Sequence, residues 1–275
     1  MINLNKNIYY AVFGNPINHS KSPKIHNFFL KKYDLNEKYI RICASKKFFL
    51  TEILSFFKNG GKGANITLPF KEKVYSICTN LTKRAKISGS INTLKKNYIG
   101  EIIGDNTDGI GLLTDLKFKN LINKNDNILI LGAGGAARGI IYPLLKFGCN
   151  IYITNRTIKK AQILSKKFRK FGYIKCLKLH QLNKNKFQII INATSAGISN
   201  NSPLVIPSDI FNKKIICYDM FYGNTDTFFM KFCKKLGATR VYNGIGMLVN
   251  QAAHSFFLWT NIFPNIKNIL DILKN

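Results

Sequence analysis

The sequence predicts an α/β protein of two domains, the second a doubly wound parallel sheet. Three observations carry that prediction. The chain has 275 residues, about two domains at the usual ~100–200 residues each. Short apolar runs in its second half alternate with stretches of helical periodicity, as in a parallel sheet with helices on its faces. A glycine-rich turn joins the first of those runs to the first of those helices.

Asn127-Ile128-Leu129-Ile130-Leu131 reads as a buried strand. It runs directly into Gly132-Ala133-Gly134-Gly135-Ala136-Ala137, the G-x-G-x-x-A form of a dinucleotide fingerprint. The first glycine permits a tight turn, the second lets backbone approach a pyrophosphate, and the small third residue lets helix and strand pack closely. The helix is expected over Gly135 to Phe147 with Gly148 just past its end. Pro143 is expected to kink it or end it early. Ile151 to Thr154 forms the next strand. At its end, where an NAD-binding chain carries Asp or Glu for the ribose 2′-hydroxyl, this chain has Asn155-Arg156-Thr157. The missing carboxylate removes repulsion against a 2′-phosphate, and Arg156 supplies a bidentate partner for one. Lys160 adds a second cation. This is the NADP(H) form of the site. A helix over 158–171, ended by Gly172, and strands over 187–192 and 215–219 complete the pattern. Ligands of such sheets sit at the carboxyl ends of the strands, so residues 194–197, 219–222 and 244–246 are expected to line a cofactor cleft.

The first half reads as a polar substrate site. Tyr9 to Phe13 is a strand opening into the turn Gly14-Asn15-Pro16. Ser22 and Pro23 read as N-cap and first residue of a helix reaching Lys32, and the hydroxyls of Ser20 and Ser22 at a helix N-terminus suit a carboxylate. In Ala64-Asn65-Ile66-Thr67-Leu68, Asn65 and Thr67 alternate with apolar residues and are expected on one face of a strand. Lys71 follows a Pro-Phe turn, and Asn92 sits in Ser90-Ile91-Asn92-Thr93. Gly104-Asp105-Asn106-Thr107-Asp108-Gly109 places two carboxylates in one hexapeptide of a chain with only 13. From Gly244 the chain is expected to return to the first domain as a helix. Leu248, Ala252, Phe256 and Trp259 form its apolar face, with Gln251 at the edge. The polar run Asn120 to Asn127 reads as a loop between domains.

Composition narrows the function. Hydrophobic residues are 46% and charged residues 20%, a globular balance that excludes a largely disordered chain. No stretch approaches the ~18 consecutive apolar residues of a membrane span, and the N-terminus has no secretory pattern. A net charge of +29 invites a nucleic-acid reading. The excess is lysine, however, 36 against 6 arginines, accompanied by 32 Asn and 38 Ile and spread along the chain. That is the imprint of A/T-rich codons rather than of a polyanion surface. Six cysteines and four histidines show no metal-ligand spacing, so no metal is expected. The thiols fit a reducing cytoplasm.

Taken together, Gly14-Asn15-Pro16, His19-Ser20-Lys21-Ser22-Pro23, Gly61 to Lys71, Gly104 to Gly109, Gly132 to Ala136, Asn155-Arg156-Thr157, Asn192-Ala193-Thr194-Ser195 and Gly244 to His254 resemble the shikimate dehydrogenase family, in its bacterial monofunctional form. The blocks fall in one order over nearly the whole chain. The resemblance implies a substrate domain over 1–107 with the returning segment 244–275, and a Rossmann-type domain over 108–243. It implies reversible reduction of 3-dehydroshikimate to shikimate with NADPH. Lys71 and Asp108 would be the catalytic pair. Ser20 and Ser22 would hold the substrate carboxylate, with Tyr222 nearby. Asn65, Thr67, Asn92, Asp108 and Gln251 would bind ring hydroxyls. Gly132, Ala133, Gly134, Gly135, Ala136, Asn155, Arg156, Thr157, Ile158, Lys159, Lys160, Met220 and Gly244 would contact the cofactor. Lys160 stands where relatives often have Arg, and Thr227-Phe228 where Thr-Pro is common. Two alternatives stay open: a quinate/shikimate enzyme of the same family using NAD, and a basic nucleotide or nucleic-acid binder without catalysis. Monomer and homodimer are both open.

Overall fold

A computed structural model describes residues 8–182, 187–194, 206–223, 225–267 and 269–274. The chain divides into two compact units, Met1–Gly111 with Leu248–Asn275, and Leu112–Met247.

The first unit runs β1 (Ile8–Gly14), α1 (Ser22–Lys32), β2 (Lys38–Cys43), α2 (Phe49–Lys58), β3 (Gly63–Ile66), β4 (Asn80–Leu81), α3 (Lys83–Ser88), β5 (Thr93–Lys96), β6 (Ile102–Asp105) and the first turn of α4 (Asp108–Phe118). The sheet order is β2-β1-β3-β5-β6-β4, with β5 antiparallel to both neighbours and the other pairs parallel. Phe13, Phe49, Phe56, Phe70 and Ile53 fill its core; each such side chain contributes roughly 1.5–3 kcal/mol by leaving water. Two expectations need correction. Ser22 is not the cap of α1 but its first residue; the cap position falls on Lys21, which makes no side-chain cap bond, and the Ser22 N–H donates to the Ser20 hydroxyl at 3.3 Å. The strand that carries Asn65 stops one residue short of Thr67. β3 is buried at all four positions and ends at Ile66, although the Thr67 N–H still donates to the carbonyl of Phe13 on β1 at 2.9 Å. A strand covered on both faces loses the alternation of a half-exposed one.

The second unit continues with β7 (Asn127–Leu131), α5 (Gly135–Phe147), β8 (Asn150–Thr154), α6 (Ile158–Phe168), β9 (Ile174–Cys176), β10 (Ile189–Asn192), β11 (Ile216–Asp219), α7 (Phe228–Lys235) and β12 (Arg240–Tyr242). Its strands, ordered β12-β11-β10-β7-β8-β9, are all parallel. The polar run 120–127 lies inside this unit, between α4 and β7, not between domains. Nor does Pro143 end α5 early: the helix continues to Phe147 and stops at Gly148, whose φ of 105° is left-handed. α6 is shorter than expected, its last turn tightening into a 3₁₀ helix over Arg169–Phe171. Thr227 caps α7 by accepting from the Met230 N–H at 3.2 Å, so Phe228 in place of proline leaves the helix start intact.

From Leu248 onward α8 (Ile245–Thr260) belongs to the first unit, as does α9 (Ile269–Lys274). Ala252, Phe256 and Trp259 are buried and Leu248 half-buried. The Trp259 indole N–H donates to the Leu94 carbonyl at 2.8 Å, and its ring occupies the space a side chain on Gly63 would take. α8 therefore covers the face of β3 and β5 that carries Asn65 and Thr93.

Candidate active site

Phe70 is buried and stacks on Phe49 with centroids 4.0 Å apart, which anchors the turn that carries Lys71. Lys71 Nζ donates to Asp108 Oδ2 at 2.5 Å, with side chains only 13% and 6% exposed. Asp108 opens α4, where an N-terminal helix dipole favours a carboxylate. Its second oxygen, Oδ1, accepts from Asn92 Nδ2 at 2.9 Å. An ammonium has three protons to give and this one spends one on Asp108, so donors remain for an oxygen placed beside it. In a site drained of water such a donor stabilises developing negative charge far better than in solution.

The polar residues around this pair form one network. Asn92 Oδ1 accepts from the Thr107 N–H at 2.8 Å, and Asn92 Nδ2 lies 3.2 Å from Gln251 Oε1. Asn65 Oδ1 accepts from the Tyr39 hydroxyl at 2.7 Å, while its Nδ2 lies 3.0–3.1 Å from three acceptors on Asn92, Thr93 and Ser255. Ser20 and Ser22 are buried, and Arg41 grips the Ser20 carbonyl with Nε at 2.8 Å and Nη2 at 2.5 Å. Asp105, the other carboxylate of the hexapeptide, is a clamp. It accepts from Arg84 Nε at 2.7 Å, Arg84 Nη2 and Thr82 Oγ1 at 2.5 Å, and the Asn106 N–H at 2.7 Å. Burial alone would raise its pKa; Arg84, Thr82 and Asn106 outweigh that and hold it below the ordinary value.

In the second unit, Gly132 has φ 108° and donates its N–H to Thr154 at 2.9 Å, a turn only glycine makes without strain. Gly134 precedes α5, and a Cβ built there meets nothing within 4 Å. Backbone is thus open to a phosphate at the N-terminal end of a 13-residue helix. Ala133 and Gly135 are buried, with Ala136 half-buried. After β8, Asn155 Nδ2 donates to the Thr157 carbonyl at 3.0 Å, Ile158 is half-buried, and Arg156, Lys159 and Lys160 stand exposed. Met220 N–H donates to Asn192 at 3.0 Å, and Gly244 N–H to Phe221 at 3.0 Å. A side chain on Gly244 would strike the Met220 carbonyl. Tyr222 is half-buried and stacks on Phe221. Asp219 ties these loops together, accepting from Asn192 Nδ2, the Phe221 N–H and Thr227 Oγ1 at 3.0, 3.1 and 2.6 Å. Burial raises its pKa above the usual carboxylate value. Open backbone at a helix start beside exposed cations fits a dinucleotide carrying a 2′-phosphate. Ser195, Ala196 and Gly197, expected in the same cleft, lie outside the described residues. Among the described residues no group of three or more His, Cys, Asp or Glu gathers to hold a metal ion.

Three family models match the chain: the shikimate dehydrogenase substrate binding domain over residues 12–94, shikimate / quinate 5-dehydrogenase over 113–204, and the shikimate 5′-dehydrogenase C-terminal domain over 244–274. The shikimate dehydrogenase of Aquifex aeolicus is 31% identical over 100% of both chains, with a TM-score of 0.89. The chain belongs to the shikimate dehydrogenase family. An Ael1 enzyme from Pseudomonas putida is 35% identical over 98% of both chains, TM-score 0.83. The Thermus thermophilus shikimate 5-dehydrogenase, solved with NADP(H) and shikimate, is 29% identical over 96% of this chain and 98% of its own, TM-score 0.85. Shikimate dehydrogenases are oxidoreductases, and this chain is one by family.

Sequence reasoning names Lys71, Asp108, Asn65, Asn92 and Gln251 but passes over Tyr39, Arg41, Thr93, Thr107 and Ser255. Thr93 and Thr107 adjoin named residues, and Ser255 stands one helical turn beyond Gln251. Neighbours at that spacing share a face, the one signal that points to Ser255 before the structure is seen.

Proposed function

We propose that this shikimate dehydrogenase interconverts 3-dehydroshikimate and shikimate using NADP(H). The observation that carries the reading is the half-enclosed Lys71–Asp108 pair at 2.5 Å, held by Asn92. Bound NADPH supplies the hydride; no other group is needed for the redox step. Lys71 Nζ donates to the carbonyl oxygen, stabilises the alkoxide that forms there, and the Lys71–Asp108 pair delivers the proton. Asp108 Oδ2 fixes the ammonium and accepts from a ring hydroxyl. Ser20 and Ser22 take the substrate carboxylate, with Thr67, Asn92 and Gln251 on ring hydroxyls. Gly132 to Ala136 take the pyrophosphate, and Asn155 to Lys160 the 2′-phosphate. The first unit is thus the substrate domain and the second the nucleotide domain. No helix among the described residues is long and apolar enough to cross a membrane. All six cysteines are free thiols, in keeping with a cytoplasmic site of action. Specific nucleic-acid binding is not part of the reading.

Lys71→Ala tests the assignment. It is expected to lower kcat by roughly 10²–10⁴-fold, the range of a positioned acid–base group, with an unchanged far-ultraviolet circular dichroism spectrum. A folded Lys71→Ala protein with wild-type kcat removes Lys71 from the chemistry.

A further inference from the structure

Behind the residues assigned to substrate lies a buried cluster of three hydroxyls. Thr93 on β5, Thr107 before α4 and Ser255 on α8 are all 0% exposed, so none meets a ligand directly. Thr93 Oγ1 and Ser255 Oγ are 2.8 Å apart, Thr107 Oγ1 and Ser255 Oγ 3.2 Å, and Thr93 and Thr107 3.4 Å. Around them stand the amides of Asn65, Asn92 and Gln251.

The direction of the bonds at Asn92 follows from one fixed donor. The Thr107 backbone N–H, 2.8 Å away, must face Asn92 Oδ1 and not the amide nitrogen. Asn92 Oδ1 only accepts, so Thr93 gives it its single proton, at 2.9 Å. Thr93 Oγ1 can then only accept, from Asn65 Nδ2 at 3.1 Å and from Ser255 at 2.8 Å, the Ser255 proton being shared with the Gln251 carbonyl at 3.1 Å. Ser255 in turn accepts from Asn65 Nδ2 at 3.0 Å. Tyr39 closes the other end by donating to Asn65 Oδ1 at 2.7 Å. The Asn92 flip so fixed is the one that donates to Asp108 Oδ1, at 2.9 Å. Thr107 Oγ1 accepts from Asn92 Nδ2 at 2.8 Å and lies 3.4 Å from Gln251 Oε1.

We infer that Thr93 and Ser255, with Thr107, are positioning residues that hold the Asn65 and Asn92 amides in the orientation shikimate binding requires. The inference rests on the proposed function for its substrate. Both residues act through their hydroxyls rather than their bulk, which makes the claim separable from packing.

The experiment compares Thr93→Val, which keeps shape and loses the hydroxyl, with Thr93→Ser, which does the reverse. KM for shikimate is expected to rise about 3- to 10-fold in Thr93→Val, the factor carried by one neutral hydrogen bond. KM for NADP⁺ should stay as in the wild type, and Thr93→Ser should bind shikimate nearly normally. A partly unfolded preparation lowers apparent kcat but leaves KM alone, so it does not imitate this result. Ser255→Ala, a change to the best helix former, gives a second reading with a smaller rise, about 2- to 3-fold. In the ligand-free protein the side-chain amide protons of Asn65 and Asn92 should exchange faster with solvent in Thr93→Val than in wild type or Thr93→Ser. A wild-type KM in both Thr93→Val and Ser255→Ala overturns the inference, and so does a Thr93→Ser protein worse than Thr93→Val. If the wild type does not turn over shikimate at all, the proposed function fails, while amide exchange still decides whether the hydroxyls set the amides.

Discussion

Arg156 is one of six arginines among 36 lysines, and the segment 155–160 around it holds no Asp or Glu. A charge-assisted contact with a 2′-phosphate is worth about 1.5–3 kcal/mol, or roughly 10–200-fold in binding. Arg156→Ala is therefore expected to raise KM for NADPH by a factor in that range and to leave KM for NADH nearly unchanged. Equal losses with both cofactors would make Arg156 structural. His26 carries a pH effect. It is fully buried, stacked on Tyr39 with centroids 4.3 Å apart, and burial pushes its pKa down from 6.5 to about 3. The folded chain keeps His26 neutral where the unfolded chain takes up a proton. Stability therefore falls as pH drops below ~6.5, by ~1.4 kcal/mol per unit and about 2 kcal/mol by pH 5. His26→Phe, which keeps a ring in the stack, should flatten the acid side of the Tm–pH curve by one proton; an unchanged slope would contradict the assignment. Lys71 and Arg156 are legible in the sequence because chemistry limits which residue types serve there. Thr93 and Ser255 are not, because a buried hydroxyl looks like any Thr in a strand or Ser in a helix until its partners are placed.

Glycines at the level of elements serve two different ends. Gly246, near the start of α8, packs on Asp115 of α4 so closely that a side chain would strike the carboxylate. Asp115 is buried, accepts from the Tyr218 hydroxyl at 2.8 Å and is paired with Lys119. Gly246→Ala is expected to cost about 1–3 kcal/mol, as overpacking does, seen as a lower urea midpoint. Gly134 faces open space, and its φ of −89° suits any residue. Gly134→Ala should keep the wild-type midpoint yet weaken NADP⁺ binding, because the added methyl stands where phosphate approaches the backbone. A midpoint loss at Gly134 as large as at Gly246 would refute this division of labour. The G-x-G-x-x-A turn, α5 and the strands on either side of it are readable from periodicity and glycine spacing. The true end of β3 is not, since Thr67 and Leu68 continue the apolar–polar pattern past Ile66 and Thr67 still bonds to Phe13 of β1 beyond the last residue of the strand.

For the whole molecule, the +29 charge is the property most open to misreading. Lysine spread along the chain gives a sequence-independent attraction to polyanions, so duplex DNA is expected to bind with Kd of about 10⁻⁴–10⁻⁶ M at physiological salt and without preference. Nanomolar, sequence-dependent binding would revive the nucleic-acid alternative. The two-unit α/β organisation was readable from length and the βα alternation, whereas the polar run 120–127 misleads. The chain passes between units inside α4 and α8, and a helix that crosses a boundary carries no loop signature. The most direct measurement of the central claim is the initial rate of nicotinamide reduction by the purified protein with shikimate or quinate, each with NADP⁺ or NAD⁺. Shikimate with NADP⁺ is expected to give the highest kcat/KM of the four combinations, and Lys71→Ala to abolish most of it. A folded protein that reduces neither cofactor with shikimate would contradict the account.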